Sequence, residues 1–309
     1  MEENKHVLIA GGTGLIGSKL KTTLESAGYQ VSILTRNKKL TENPVYRLWN
    51  PAENFIEEGV LNDVDVLINL CGSGIADKPW TKARKTELHD SRILPTLLLL
   101  ETAKKSKNLK HYLSASGINC YPVNTSQPVQ EQDSYGTDYL STLVKEWEMA
   151  ALKFEEICPV TLLRISAVLS DNGGALTKMK PLFRWGLGAP LGTGKQPFTW
   201  VHEDDLVAAI LHLSVQKESG AFNICGETVS NRHFSKVLAQ SVKRWMLPIP
   251  VPGFMMKLML GEMSEMLLNG VNTNADKLKK SGFTFQYPTI ESALGSNEIS
   301  DSKRQQRKK

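Results

Sequence analysis

Long apolar runs are missing from this 309-residue chain. Its longest leucine stretch, residues 97–100, falls far short of the roughly 20 apolar residues that cross a bilayer. That excludes a spanning helix, and no membrane partner is expected. Cysteine is scarce: Cys71, Cys120, Cys158 and Cys225 lie far apart, without the spacing of a metal site. Reduced thiols in a cytoplasmic protein are the simplest reading. A strand pattern begins almost at the first residue, so no signal peptide is expected ahead of it. At 41% hydrophobic and 22% charged residues, the composition is that of an ordinary globular chain.

The formal charge of +5 is concentrated at one end. Residues 300–309 hold five Lys or Arg and one Asp, with no apolar anchor. A solvated, disordered basic tail over residues 297–309 is expected. Nucleic acid is an unfavoured partner, because no aromatic residue is interleaved with these charges.

The chain is organised around VLIAGGTGLIG, residues 7–17. Val7, Leu8, Ile9 and Ala10 read as a buried strand, and Leu15, Ile16, Leu20 and Leu24 as one face of a helix. Between them Gly11, Gly14 and Gly17 are spaced G-x-x-G-x-x-G, with Gly12 and Thr13 in the same turn. The first glycine permits a tight turn, and the second lets backbone approach a pyrophosphate. The third lets the helix pack close to the strand. The helix N-terminus then offers free N–H groups to phosphate. Strand, glycine turn and helix in this order mark a dinucleotide-binding site.

A second strand over residues 30–34 ends in Thr35-Arg36-Asn37. An NAD site usually places an acid here to hold the ribose hydroxyls. Arg36 stands there instead, and a guanidinium pairs with a 2′-phosphate. The expected cofactor is therefore NADP(H).

Further strands are expected at residues 46–50, 64–70, 111–114, 160–165 and 221–225, with a short strand entering a helix at 200–206. Helices are expected at about 81–106, interrupted by Pro95, and at about 138–154, 231–245 and 255–268. The last is rich in methionine, which usually means core or interface packing. Residues 173–197 carry many glycines and prolines and read as loops over the site. The fold class is α/β: a Rossmann-type doubly wound parallel sheet with a small, mostly helical C-terminal substrate-side region. The dinucleotide domain would span residues 1–172, its sheet completed by parts of 198–226. Residues 173–197 and 227–296 would form the substrate side. Ligands should gather at the carboxyl ends of the strands.

Taken together, several segments resemble one family. They include residues 11–17, LTR (34–36), NLCG (69–72), IADKPWTKARKTELHDSR (75–92), SASG (114–117) and KEWE (145–148). The segment 173–206 and GFTFQYPTIESAL (282–294) complete the likeness, which spans nearly the whole body. The chain resembles the short-chain dehydrogenase/reductase superfamily, in its extended or atypical branch, and within that the epimerase-family proteins. The resemblance implies NADP contacts at Gly11, Gly12, Thr13, Gly14, Leu15, Ile16, Gly17, Thr35, Arg36, Leu70, Cys71, Gly72, Glu87, Arg92 and Val168.

The superfamily's usual catalytic pair is a tyrosine with a lysine four residues on, sharing a helix face. That pair is missing. Leu140 and Val144 stand at the two places, and Tyr139 is followed at the fourth residue by Leu143. Ser116 occupies the place of the superfamily's serine and could orient a substrate oxygen. Tyr121 is the nearest tyrosine that could move a proton. His202, in WVHEDDL, reads as a helix cap. Arg184, Trp185, Lys195, Phe198 and Trp200 would line the substrate side and suit an anionic or sugar-like ligand. Two functions follow. One is an NADP(H)-dependent oxidoreductase or nucleotide-sugar-epimerase-like enzyme acting on a small polar substrate. The alternative is an NADP(H)-binding redox sensor without turnover.

Overall fold

β1 (His6–Ala10) feeds two cores at once. Val7 and Ile9 pack into one apolar cluster and Leu8 and Ala10 into another. Successive side chains of a strand point to opposite faces, so a strand apolar at every position must be covered on both. Helices α1 (Leu15–Ser26) and α5 (Glu203–Gln216) cover the first face. Helix α2 (Lys82–Ala103) and Phe154, just beyond α3 (Tyr139–Leu152), cover the second.

The computed structural model describes residues 5–295. Its main sheet continues with β2 (Gln30–Thr35), β3 (Tyr46–Asn50), β4 (Phe55–Ile56) and β5 (Val66–Asn69). It is completed by β6 (His111–Gly117), β7 (Val160–Ile165) and β10 (Gly220–Ile224). The strand order is β10-β7-β6-β5-β1-β2-β3-β4, parallel throughout except for the β3–β4 pair. The chain turns from one side of β1 to the other between β3 and β5. That reversal opens a crevice beside the carboxyl end of β1, where ligands of such sheets collect. This is the α/β doubly wound fold expected from the sequence.

A second sheet holds β8 (Ala167–Leu169), β9 (Pro197–His202) and β11 (Thr228–Ser230), in the order β11-β9-β8. Residues 197–202 thus build a separate layer, and only β10 from the 198–226 stretch joins the main sheet. Helices α4 (Gly174–Arg184) and α6 (Asn231–Ser241) pack on this smaller sheet around Trp200, Phe183 and Phe234. After α6 come α7 (Gly253–Leu260), α8 (Glu265–Leu268) and α9 (Asp276–Lys280), and the described residues close on a helical stretch at 290–295. The basic tail lies outside the described residues.

Several expectations need correction. Residues 173–197 are not all loop, because α4 forms within them with Pro181 inside it. The helix expected over 255–268 is broken at Gly261, whose φ of +57° ends α7. Pro95 does not end α2, which runs 22 residues through it. Proline there removes one N–H, but Leu98, Leu99 and Leu100 beyond it are buried, and tertiary packing keeps the helix going. The two-residue strand β4 carries too short a pattern to read. Caps match their residues: the Thr81 and Asp138 side chains accept from Arg84 N (3.2 Å) and Ser141 N (3.0 Å).

Candidate dinucleotide site

The carboxyl ends of β1, β2 and β5 converge on the glycine turn. Gly11 has φ +80°, and a Cβ there would lie 2.9 Å from the Leu70 carbonyl. A Cβ on Gly17 would sit 2.6 Å from the Gly12 Cα. Both positions are closed to any side chain by backbone. Gly14 differs. Its φ is an ordinary −79°, and a Cβ would meet only the Gly11 oxygen, at 3.3 Å. Conformation does not demand glycine here and packing presses far less than at Gly11 or Gly17, whereas close approach of a ligand to backbone would demand it. Gly14 also caps α1 with no side-chain hydrogen bond, so the first-turn N–H groups, including those of Leu15 and Ile16, have no side chain closing them off. This is the arrangement that receives phosphate. Thr13 is exposed and Gly12 buried.

Arg36 projects from the end of β2 and is exposed. Its charge reaches Cys71 beyond β5, where burial pushes the thiol up to about 12 and Arg36 pulls against it. Arg36 and Cys71 therefore flank the glycine turn. Thr35 is buried, and its hydroxyl accepts from Asn37 N at 3.1 Å. Asn69 orders the next turn by accepting from Cys71 N at 3.1 Å. All four cysteines are free.

Two arginines from α2 hold the loop after β5. Arg92 donates to Ser73 O (3.1 Å) and to Leu88 O (2.8 Å), stacks on Trp147, and faces Gly72. Burial lowers its pKa to about 10, and its Nε is buried without a hydrogen-bond partner. Arg84 donates to Gly74 O and pairs with Glu87 at 2.6 Å. The Arg84 hydrogen bond holds the Glu87 carboxyl below its usual range. Sequence reading singled out Glu87 and Arg92 but missed Arg84. Its only signal was that a basic residue stood three before Glu87 on the same helix face. Val168, on β8, packs against the apolar cluster that also receives Ile16 and Leu70. A Cβ on Gly174 would lie 3.7 Å from Val168 O and 3.9 Å from Leu15.

The expected catalytic residues lie elsewhere in character. Tyr121 is fully buried, its hydroxyl donating to Asn223 (2.8 Å) and accepting from Arg164 (2.6 Å). It cannot touch a substrate as it stands, and burial raises its pKa, against proton exchange near neutrality. Ser116, at the end of β6, is buried and donates to Glu148. Glu148 and Arg164 form a buried bidentate pair, to which Tyr135 adds a 2.6 Å hydrogen bond. Burial and the Glu148 charge push Tyr135 up to about 12. Leu140 and Val144 are buried apolar residues. On the substrate side, Trp200 is core and Phe198 stacks on Phe234 at 4.0 Å, whereas Arg184, Trp185 and Lys195 are exposed. His202 caps α5, accepting from Asp204 N at 3.2 Å. Among the described residues, no group of three or more His, Cys, Asp or Glu could hold a metal.

A doubly wound parallel sheet with a glycine turn at its reversal point defines a dinucleotide-binding α/β protein. The chain belongs to the NAD dependent epimerase/dehydratase family, which it matches over residues 7–225; residues 251–296 match a domain of unknown function, DUF1731. It is 36% identical over 296 residues to the epimerase family protein Mb2239 of Mycobacterium bovis, covering 94% of this chain and 97% of that one. It is 34% identical over 300 residues to the epimerase family protein SSP1921 of Staphylococcus saprophyticus, covering 94% and 98%. Its fold is similar to the crystal structure of human epimerase family protein SDR39U1 with NADPH, at a TM-score of 0.86 and 27% identity over 94% of this chain and 98% of that one.

Proposed function

We propose that this protein binds NADP(H) at the glycine turn and uses it on a small polar substrate, as an oxidoreductase or epimerase of the short-chain dehydrogenase/reductase type. The observation that carries the reading is the pairing of an open helix N-terminus at Gly14 with Arg36 at the end of β2. The first suits a pyrophosphate, and the second suits a 2′-phosphate where an NAD site would carry an acid. The NADPH in the human relative's structure supports the same choice. When bound, the nicotinamide would supply or accept a hydride. Leu70, Cys71 and Gly72 would border the adenosine half, and Arg92 and Glu87 would order the loop beside it.

For the substrate, Ser116 is the hydroxyl we assign to hold an oxygen at the end of β6, oriented by Glu148. Tyr121 does not take the proton-moving role, being sealed inside the Arg164 network. Tyr135 is the partly exposed hydroxyl of that network and replaces it as candidate.

One observation favours the second reading, an NADP(H)-binding redox sensor without turnover. Leu140 and Val144 stand where the superfamily's Tyr/Lys pair would, and burial also raises both tyrosines near Ser116. Single-turnover assays with stoichiometric NADPH against aldehydes, ketones and nucleotide sugars separate the two. Oxidation of NADPH that is slowed in Ser116→Ala supports the enzyme. Tight NADPH binding with no oxidation across the panel supports the sensor. No affinity for either dinucleotide overturns both.

A further inference from the structure

The most exposed large apolar residues fall in two stretches of the chain, 182–187 and 245–259. Trp185, Leu187, Trp245, Ile249, Phe254 and Leu258 are 74%, 60%, 93%, 76%, 73% and 87% exposed. They come from two segments that run side by side. Leu247 N donates to Gly188 O (2.8 Å), Arg244 Nε to Arg184 O (3.0 Å) and Val251 N to Pro190 O (2.8 Å). On α7, Phe254 and Leu258 stand four apart and Met255 and Met259 four apart, so all four share one arc. Met256 alone turns inward, and Lys257 borders the arc. This helix shows its apolar side to solvent, the reverse of a helix folded onto a core. Of the core or interface packing that the methionines suggest, Met256 and Met263 are core, while Met255 and Met259 lie on the surface.

The two stretches that carry these residues are basic. Residues 172–202 and 228–261 contain nine Lys or Arg and no Asp or Glu, although the whole chain holds 37 against 32. Arg184, Lys243, Arg244 and Lys257 are exposed on or beside the apolar residues. Asp171, Glu203, Glu227 and Glu262 bound these stretches; Lys180 pairs with Asp171, Lys178 with Asp77, Lys85 with Glu262 and Lys257 with Glu265. An exposed apolar patch of this extent marks an interaction site. A second copy of the same face would bring like charges together, which disfavours self-association. A surface with an apolar interior under an anionic layer matches both features, and exposed Trp beside Lys and Arg is the composition of an interfacial helix.

We propose that this face docks the protein on an anionic phospholipid bilayer, with α7 lying in the plane of the interface. No spanning helix is required. The apolar side chains enter the acyl boundary while Arg184, Lys243 and Arg244 meet phosphate headgroups. The carboxyl ends of the strands are left to the dinucleotide.

Flotation of the full chain with vesicles tests this. Phosphatidylcholine vesicles containing phosphatidylglycerol should carry the protein, pure phosphatidylcholine vesicles should not, and added salt should weaken the binding. The double variant Ile249→Glu, Leu258→Glu should lower partitioning by about tenfold or more. Both side chains are solvent-exposed, so its circular dichroism and NADPH affinity should match the parent. The proposal fails if the parent ignores phosphatidylglycerol vesicles, or if the double variant partitions equally, which would transfer the binding to the basic tail. A parent dimer that the double variant splits, with no vesicle binding, would give the face to a second copy and overturn it too.

Discussion

Arg164 and Glu148 meet as a fork on a carboxylate, Nε to Oε1 at 2.8 Å and Nη2 to Oε2 at 2.7 Å, with both side chains out of solvent. The guanidinium comes from the end of β7 and the carboxylate from α3, so one pair ties the sheet to the helix covering it. Burial alone would pull Arg164 down; the Glu148 bonds and charge outweigh it and push its pKa up. Each remaining oxygen and N–H finds a neutral partner in Ser116, Tyr135, Tyr121 or the Glu131 carbonyl.

Removing one partner strands the other. Glu148→Ala should destabilise the protein by about 3–5 kcal/mol, read from urea unfolding. Glu148→Ala combined with Arg164→Met should cost less than Glu148→Ala alone. A double variant as unstable as the sum of the singles would show that the two residues do not act on each other.

The glycine turn separates folding from binding. Gly17→Ala drives a methyl into backbone and should cost about 1–3 kcal/mol of stability together with dinucleotide affinity. Gly14→Ala meets only the Gly11 oxygen, at 3.3 Å, and should lower the melting temperature far less than Gly17→Ala while NADPH affinity falls. Calorimetric titration beside thermal unfolding checks both, and a Gly14→Ala variant with parental affinity would remove the phosphate from that position.

Arg36 bears on cofactor choice and not on the fold, since its side chain is exposed. Arg36→Ala should weaken NADP(H) by about 10- to 100-fold, the worth of charge-assisted hydrogen bonds, and leave NAD(H) nearly unaffected. Fluorescence titration with each dinucleotide measures it. Equal loss for both would mean that Arg36 does not distinguish the 2′-phosphate.

His111 supplies a pH dependence. It is fully buried, bonded through Nε2 to Thr161 (2.8 Å) and the Glu218 carbonyl (3.1 Å). Burial lowers its pKa below 6.5, more than the backbone hydrogen bonds raise it. The unfolded chain therefore binds the proton more readily. The contribution is present above pH 6.5 and is lost as pH falls through that value toward the folded pKa. Unfolding free energy should decline over that window. His111→Gln should flatten the decline, leaving the share from His6, which burial also lowers. An unaltered slope in His111→Gln would assign the effect elsewhere.

The dinucleotide half of the molecule was legible from the chain because its signals are local. Glycine spacing, a strand buried on both faces and an arginine at the next strand end are properties of short segments. The substrate half was less so. Trp200 reads as a ligand-lining aromatic by its neighbours, yet it fills the core of the small sheet. Tyr121 reads as a reachable hydroxyl five residues past Ser116, yet Asn223, 102 residues away, closes over it.

By itself, then, the sequence determined the class of fold, the place of the glycine turn and that Leu140 and Val144 stand where a Tyr/Lys pair would, since each is written in residues a few positions apart. Only the tertiary structure decided which hydroxyls are sealed, that Arg84 and Arg92 pin one loop, and that the methionine-rich helix faces water. These depend on which distant segments pack together, and burial is a property of the assembled layers that no local pattern carries.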